Sequence, residues 1–351
     1  MKKTEPLLAT LAGAMLILGA TVIANAAEPV SIDPSHLKAF KPLPESSIPG
    51  DRKIEDAQVS LGRILFYDTR FSKSQTISCN SCHNLSTYGV DNQPTSTGFQ
   101  GQKGGRNSPT VYNAAGHFLQ FWDGRAKDVE EQAKGPVLNP VEMAMASDKE
   151  VLAIINSMPE YVTAFQRAFP GEPNPVTYDN FGIAIGAFER KLLTPSRWDK
   201  FLAGDQKALT NAEKAGFNAY YAAGCASCHA GAYLGGNLFQ KVGAKKTWPN
   251  TSDSGRREVT KNAADDMMFK VPSLRNIAKT GPYFHDGKTV KLSEAIEKMG
   301  EYQLGQSLTP QQVASIEVFL NSLTGQVPVA LIKKPKMPKS TASTPKPSNA
   351  N

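Results

Sequence analysis

Residues 77–83 read ISCNSCH, and residues 224–229 repeat the pattern as GCASCH. All four cysteines of the 351-residue chain fall in these two copies. On a helix, positions i, i+3 and i+4 share a face, so Cys79, Cys82 and His83 point one way, as do Cys225, Cys228 and His229. Two thiols can then add to the two vinyl groups of a haem while the adjacent imidazole reaches its iron. A structural zinc site or a thiol-redox motif would use the cysteines but has no need of a histidine directly after both pairs. Paired disulfides are the other alternative in an oxidising compartment. The repeated Cys-x-x-Cys-His favours two covalently bound haem c groups, with His83 and His229 as proximal ligands.

The compartment is read from the start of the chain. In residues 1–26, Lys2 and Lys3 precede an apolar run from Leu7 to Ile23, and Ala24 and Ala26 form a small-x-small cleavage site. That is the layout of a signal peptide, and it predicts export to the periplasm. An uncleaved anchor is the alternative, because the run nears the lower limit for a membrane span. No later segment approaches that length, so no stable membrane span is expected after cleavage.

The net charge is +7, but Lys333, Lys334, Lys336, Lys339 and Lys346 account for five of those charges and the leader for one. The body is left near neutrality, which argues against a nucleic-acid surface. Residues 331–351 are rich in Lys, Pro, Ser and Thr with little to bury, so the reading makes them a disordered tail.

Most periodic segments predict helices. Leu61, Ile64 and Leu65 form one stripe, and Phe181, Ile185, Phe188 and Leu192 another. Thr210 with Glu213, and Thr309 with Pro310 and Gln312, mark helix starts. Long loops at 84–113 and 235–265 point to function, because their ordering entropy has to be offset by what they bind or cover. The expected fold is mainly α, with two cytochrome c-like haem domains and long loops. The N-terminal haem domain takes residues 27–193 and the C-terminal one 194–330, with the break near Thr194–Pro195 and the last helix free to pack back on the first domain.

Further stretches carry a resemblance: ISCNSCHNLSTYGVDN, QKGGRNSPTVYN, QFWDGRAKDVEEQAKGPV, NPVEM, GCASCH, VPSLRNIAKTGPYFHDG and EKMGEYQL. In this order, over about residues 35–330, the sequence resembles the bacterial di-haem cytochrome c peroxidase family. The resemblance implies a peroxidatic first haem and an electron-transfer second haem. It makes Met299 the distal ligand of the second iron, where a thioether opposite imidazole raises the potential. It gives His285 a supporting place near that haem and puts Trp122 between the two haems. Gln132 and Glu142 become the distal polar pair at the first haem, with Glu142 moving the proton that peroxide cleavage requires. Asn107, Thr280 and Pro282 match the family's interdomain calcium site. His36 and His117 match no motif and read as surface or structural residues.

One departure stands out. Many members carry a histidine that caps the first iron in a T-S-x-G-H segment, whereas residues 95–99 here read TSTGF, and Phe99 cannot ligate iron. The expectation is an enzyme that reduces hydrogen peroxide to water without reductive gating, fed by a monohaem cytochrome c or a cupredoxin, and assembled as a homodimer. The rival readings are a related di-haem oxidase that matures a quinone cofactor in a partner protein, which uses a tyrosine where Met299 stands, and a non-enzymatic electron carrier.

Overall fold

The computed structural model describes residues 1–3, 29–47 and 53–349, so the expected leader lies almost wholly outside the described residues. The described chain is helix-rich, as expected, with one small sheet in which Phe239–Lys241 runs antiparallel to Met268–Lys270. None of the described helices is long and apolar enough to cross a membrane.

The first half is built on three helices. Asp56–Tyr67 buries Leu61, Leu65 and Phe66, and Tyr178–Glu189 buries Phe181, Ile185 and Phe188, each at most 1% exposed. Each such side chain contributes about 1.5–3 kcal/mol on burial. The two helices approach closely because residue 62 is glycine: a Cβ there would overlap the Ala184 carbonyl oxygen. Val129–Leu138 packs across Tyr178–Glu189, held by a buried pair in which Arg190 Nε and Nη2 donate to Glu130 at 2.8 and 2.7 Å.

The second half pairs Asn211–Ala222 with Pro310–Ser322. Both carry the capping boxes predicted from sequence: Glu213 N–H donates to Thr210 Oγ1 at 3.2 Å, and Gln312 N–H to Thr309 Oγ1 at 3.2 Å. Trp198, fully buried, sits among Phe40, Phe201, Phe217 and Phe319. The last long helix therefore stays in the second core and does not return to the first.

The chain passes between the cores at Thr194, which is no exposed linker. Asn113 Nδ2 and Asn276 Nδ2 both donate to its hydroxyl at 2.8 Å, and all three residues are at most 1% exposed.

The tail departs from expectation. Residues 331–349 run back over the first core instead of standing free. Ile332 and Met337 supply the apolar anchors. Backbone and hydroxyl groups do the rest: Thr341 Oγ1 donates to the Ser157 carbonyl at 2.8 Å, and Ser348 N–H to the Lys73 carbonyl at 2.8 Å. Composition hides this, because the partners belong to the surface underneath rather than to the tail.

Candidate functional site

The second Cys-x-x-Cys-His opens a cavity of about 230 Å³. Gly224, at φ +89°, ends the Asn211–Ala222 helix segment, and Cys225–Ser227 forms one tight turn before His229, whose N–H donates to the Cys225 carbonyl at 3.0 Å. His229 Nδ1 lies 3.2 Å from the Leu234 carbonyl, which fixes the ring and leaves Nε2 for another partner. Burial lowers the His229 pKa to about 4, so the ring is neutral, the form that ligates metal. Burial likewise pushes the Cys225 thiol up to about 11. Met299 borders the same cavity from a wide π-helical turn, Met299–Leu304, that follows Leu292–Lys298; such turns recur at functional sites.

Trp122 and His285 border this cavity too. Trp122 Nε1–H donates to the Asn107 carbonyl at 2.9 Å, and its ring meets His285 edge-on at 6.4 Å. His285 is 2% exposed, stacks on Phe269 at 4.1 Å, and its Nε2 is buried without a hydrogen-bond partner. The preceding residue, Phe121, sits at φ +66°, uncommon for a bulky side chain. The Arg125 guanidinium lies 3.5 Å over its ring. Phe121 borders a second cavity, of about 460 Å³, as well as the first.

That second cavity is lined by Arg125, Lys134, Asn139, Glu142 and Tyr178 among others. Asn139 Nδ2 donates to Glu142 Oε1 at 2.8 Å. Burial raises the Glu142 pKa, opposed by Arg125 and the Asn139 bond. The carboxylate is close enough to the first motif to help raise the Cys82 thiol, an effect led by burial. Gln132 is half-buried and outside this described lining. Phe99, 4% exposed, sits in the adjoining loop, its N–H donating to the Glu142 carbonyl at 2.8 Å.

The first motif forms one helical turn, Cys79–Cys82, with His83 N–H donating to the Cys79 carbonyl at 2.9 Å. Burial, Glu189 and Cys82 push the Cys79 thiol up to about 12. His83 Nδ1 is buried without a hydrogen-bond partner, and burial lowers its pKa. At the second motif two free cysteines, a neutral imidazole and Met299 around one cavity are the donor set that a covalently held haem needs, and the first motif supplies two further free cysteines and a second neutral imidazole, none of them in the described lining of the cavity of about 460 Å³. The residues present therefore fit the group that the sequence implies.

The sequence model described as di-haem cytochrome c peroxidase matches residues 56–207. A cytochrome c551 peroxidase of Pseudomonas aeruginosa is 45% identical, over 95% of this chain and 98% of the relative. The chain belongs to the di-haem cytochrome c peroxidase family. It is an oxidoreductase, a cytochrome c peroxidase, and membership implies two haem c groups. A cytochrome c551 peroxidase of Nitrosomonas europaea is 46% identical over 82% of this chain and 85% of its own length. A crystal structure of a MauG-like protein associated with microbial copper homeostasis superposes with a TM-score of 0.73 at 30% identity, covering 84% of this chain and 95% of the other.

Within this di-haem peroxidase fold, Asn107, Thr280 and Pro282 border the first cavity together. Asn107 Nδ2 donates to the Gln93 carbonyl at 3.0 Å, so its amide oxygen faces away from that carbonyl. Among the described residues, no cluster of three His, Cys, Asp or Glu side chains stands ready to hold a metal ion. His36 stacks on Tyr221 at 3.8 Å. His117, read from sequence as a surface or structural residue, borders the first cavity beside Lys270, Nδ1 to Nζ 3.1 Å. No motif surrounds it, and its partner is 153 positions away. Phe121 and Arg125, both inside QFWDGRA, carry no sequence signal of their own beyond that stretch, yet they border these cavities.

Proposed function

We propose that the chain reduces hydrogen peroxide to water in the periplasm, with a peroxidatic site at Cys79, Cys82 and His83 and an electron-storing site at Cys225, Cys228, His229 and Met299. The observations that carry this reading are that His229 and Met299 border one cavity together, while half-buried Glu142, bonded by Asn139, lines another and lies close enough to the first motif to act on Cys82. Bound haem would supply iron that changes oxidation state and, at the first site, a free coordination position.

The chain's residues supply the rest. His83 and His229 would each hold a haem iron through the imidazole, and Met299 would offer its thioether to the second. Glu142, raised by burial and oriented by Asn139, accepts a proton from the near oxygen of peroxide and returns it to the far one. Gln132, one helix turn from the Glu142 cavity, is kept as its polar companion. Phe121 borders both cavities, Trp122 borders the first and His285 packs beside it, and these rings are the electron path of this reading. With Phe99 where a histidine would cap the iron, the first site would need no reductive opening. Asn107, Thr280 and Pro282 would offer oxygen ligands to a calcium ion. The same reading carries export by the leader, homodimer assembly, and a monohaem cytochrome c or cupredoxin as donor.

The test is steady-state peroxide consumption by the as-isolated protein with a reduced monohaem cytochrome c. Glu142→Gln should lower the rate by about 10²–10⁴, the usual worth of a positioned acid–base group, with both haem spectra intact. Turnover equal to wild type in that variant would remove Glu142 from the reaction.

A further inference from the structure

One charged side chain in the first cavity lacks a counter-charge. Lys270 ends the strand Met268–Lys270, is 7% exposed, and borders the cavity that also holds Cys225, Cys228, His229 and Met299. Among the described residues no carboxylate pairs with it; its ammonium meets a ring nitrogen, His117 Nδ1, at 3.1 Å. Burial acts alone on its pKa, lowering it to about 8, with no acid working the other way. A buried cation without an anionic neighbour is strongly unfavourable.

The histidine adds a second unmet donor. An ammonium can only donate, so Nδ1 accepts and, in the neutral ring, Nε2 carries the hydrogen. Burial keeps the ring neutral, the Lys270 charge adding to the effect. Nε2 is buried and has no hydrogen-bond partner. The two donors are held in place by the backbone between them. Phe118 N–H donates to the Gly236 carbonyl at 2.9 Å, and Gly236 N–H to the Val271 carbonyl at 2.8 Å. Residue 236 must be glycine here: its φ is +74°, and a Cβ would overlap the His117 ring.

We propose that Lys270 and His117 form a carboxylate-binding subsite that receives a propionate of the haem held by Cys225 and Cys228. This rests on the reading that the cavity holds covalent haem. In haem c the vinyl edge is consumed by the thiols, and the remaining polar groups are two ionised propionates at the opposite edge. Their partners must therefore come from elements other than the cysteine turn, and Lys270 and His117 do. One carboxylate offers two oxygens to two donors, satisfying both.

The test uses the full holoprotein with Lys270→Met, Lys270→Arg and His117→Phe. Haem stain after denaturing electrophoresis and intact mass report attachment; resonance Raman reports the propionate-bending bands; redox titration reports both potentials. With two haems attached, Lys270→Met should shift one propionate band and lower the potential of one haem, because the compensating positive charge is gone. Lys270→Arg should restore both, and His117→Phe should shift the same band by less. If Lys270→Met fails to fold, His117→Phe decides through the band alone. Unchanged bands and potentials with both haems in place, or a Lys270→Met shift that arginine does not restore, overturn the subsite. Wild-type protein lacking haem at Cys225 and Cys228 would overturn the parent reading, and is told apart by the stain.

Discussion

The backbone N–H of Phe99 donates to the carbonyl of Glu142 at 2.8 Å, so the loop in which relatives are expected to carry a capping histidine is pinned to the segment bearing the proposed acid–base carboxylate. Gly98 permits the approach, since a Cβ there would overlap the Val141 carbonyl oxygen. Phe99→His should place an imidazole where it can cap the first iron. If the cap is closed nine-tenths of the time, the as-isolated rate falls about tenfold and pre-reduction restores it. Electron paramagnetic resonance would show the cap as conversion of a high-spin ferric signal to low spin. A wild-type spectrum with both irons purely low-spin would end the ungated reading.

Trp122 is tied to the Asn107 carbonyl by its indole N–H at 2.9 Å and shares the first cavity with His285. Trp122→Phe keeps a ring but loses that bond, worth about 1 kcal/mol, which lowers the melting temperature by about 2–4 °C. Rapid mixing of reduced variant with peroxide should show slower oxidation of the Met299-side centre while both absorption spectra match wild type. An unchanged rate would mean electrons bypass the indole.

What the sequence discloses depends on how local the cause is. Cys79 to His83, Cys225 to His229 and the capping pairs at Thr210 and Thr309 act within five residues, so they are readable in one dimension. Phe99 is readable as a departure from a pattern, but its bond to Glu142 is not. Lys270 and His117 meet across 153 positions, and neither carries a motif. Thr194 looks like a linker beside Pro195, yet Asn113 and Asn276 bury it from both sides. The tail looks unfoldable because its own residues bury little; the groups that order it, such as Ser157 and Lys73, belong to the surface over the first core.

Glu189 gives the fold a dependence on pH. It is 4% exposed, and burial, with Glu130 adding to it, lifts its pKa from 4.5 to about 8. The folded state thus holds a proton that the unfolded chain releases near pH 4.5. This contribution to stability is fully present below that value and is lost as pH rises toward about 8. Glu189→Gln keeps the shape and removes the titration. Its melting temperature should fall less than wild type between pH 6 and pH 9, by about 2–4 °C for each kcal/mol of slope removed. Parallel melting curves across that range would place the proton elsewhere.

Arg275 and Asp199 lock the second core to the segment after the joint. Arg275 is 1% exposed, and its Nη1 and Nη2 each reach Asp199 at 2.8 Å, while Nε donates to the Ala232 carbonyl at 2.6 Å. Burial works to raise Asp199, but Arg275 and the backbone bonds from Leu43 and Ser196 outweigh it and hold the carboxyl below its ordinary value. Arg275→Met leaves that carboxylate buried and unpaired, which costs about 3–5 kcal/mol. Asp199→Asn in the same background removes the stranded charge but keeps an oxygen acceptor for only one of the Leu43 and Ser196 N–H groups, which bond to different carboxylate oxygens, so it should recover only part of the loss. Denaturant unfolding of the single and double variants checks both steps. Because the partner is a carboxylate with a lowered pKa, the advantage of wild type over Arg275→Met is present above pH 3.8 and shrinks as pH falls below it. A single variant that loses under about 1 kcal/mol would show the pair to be exchangeable for packing, as some buried ion pairs are.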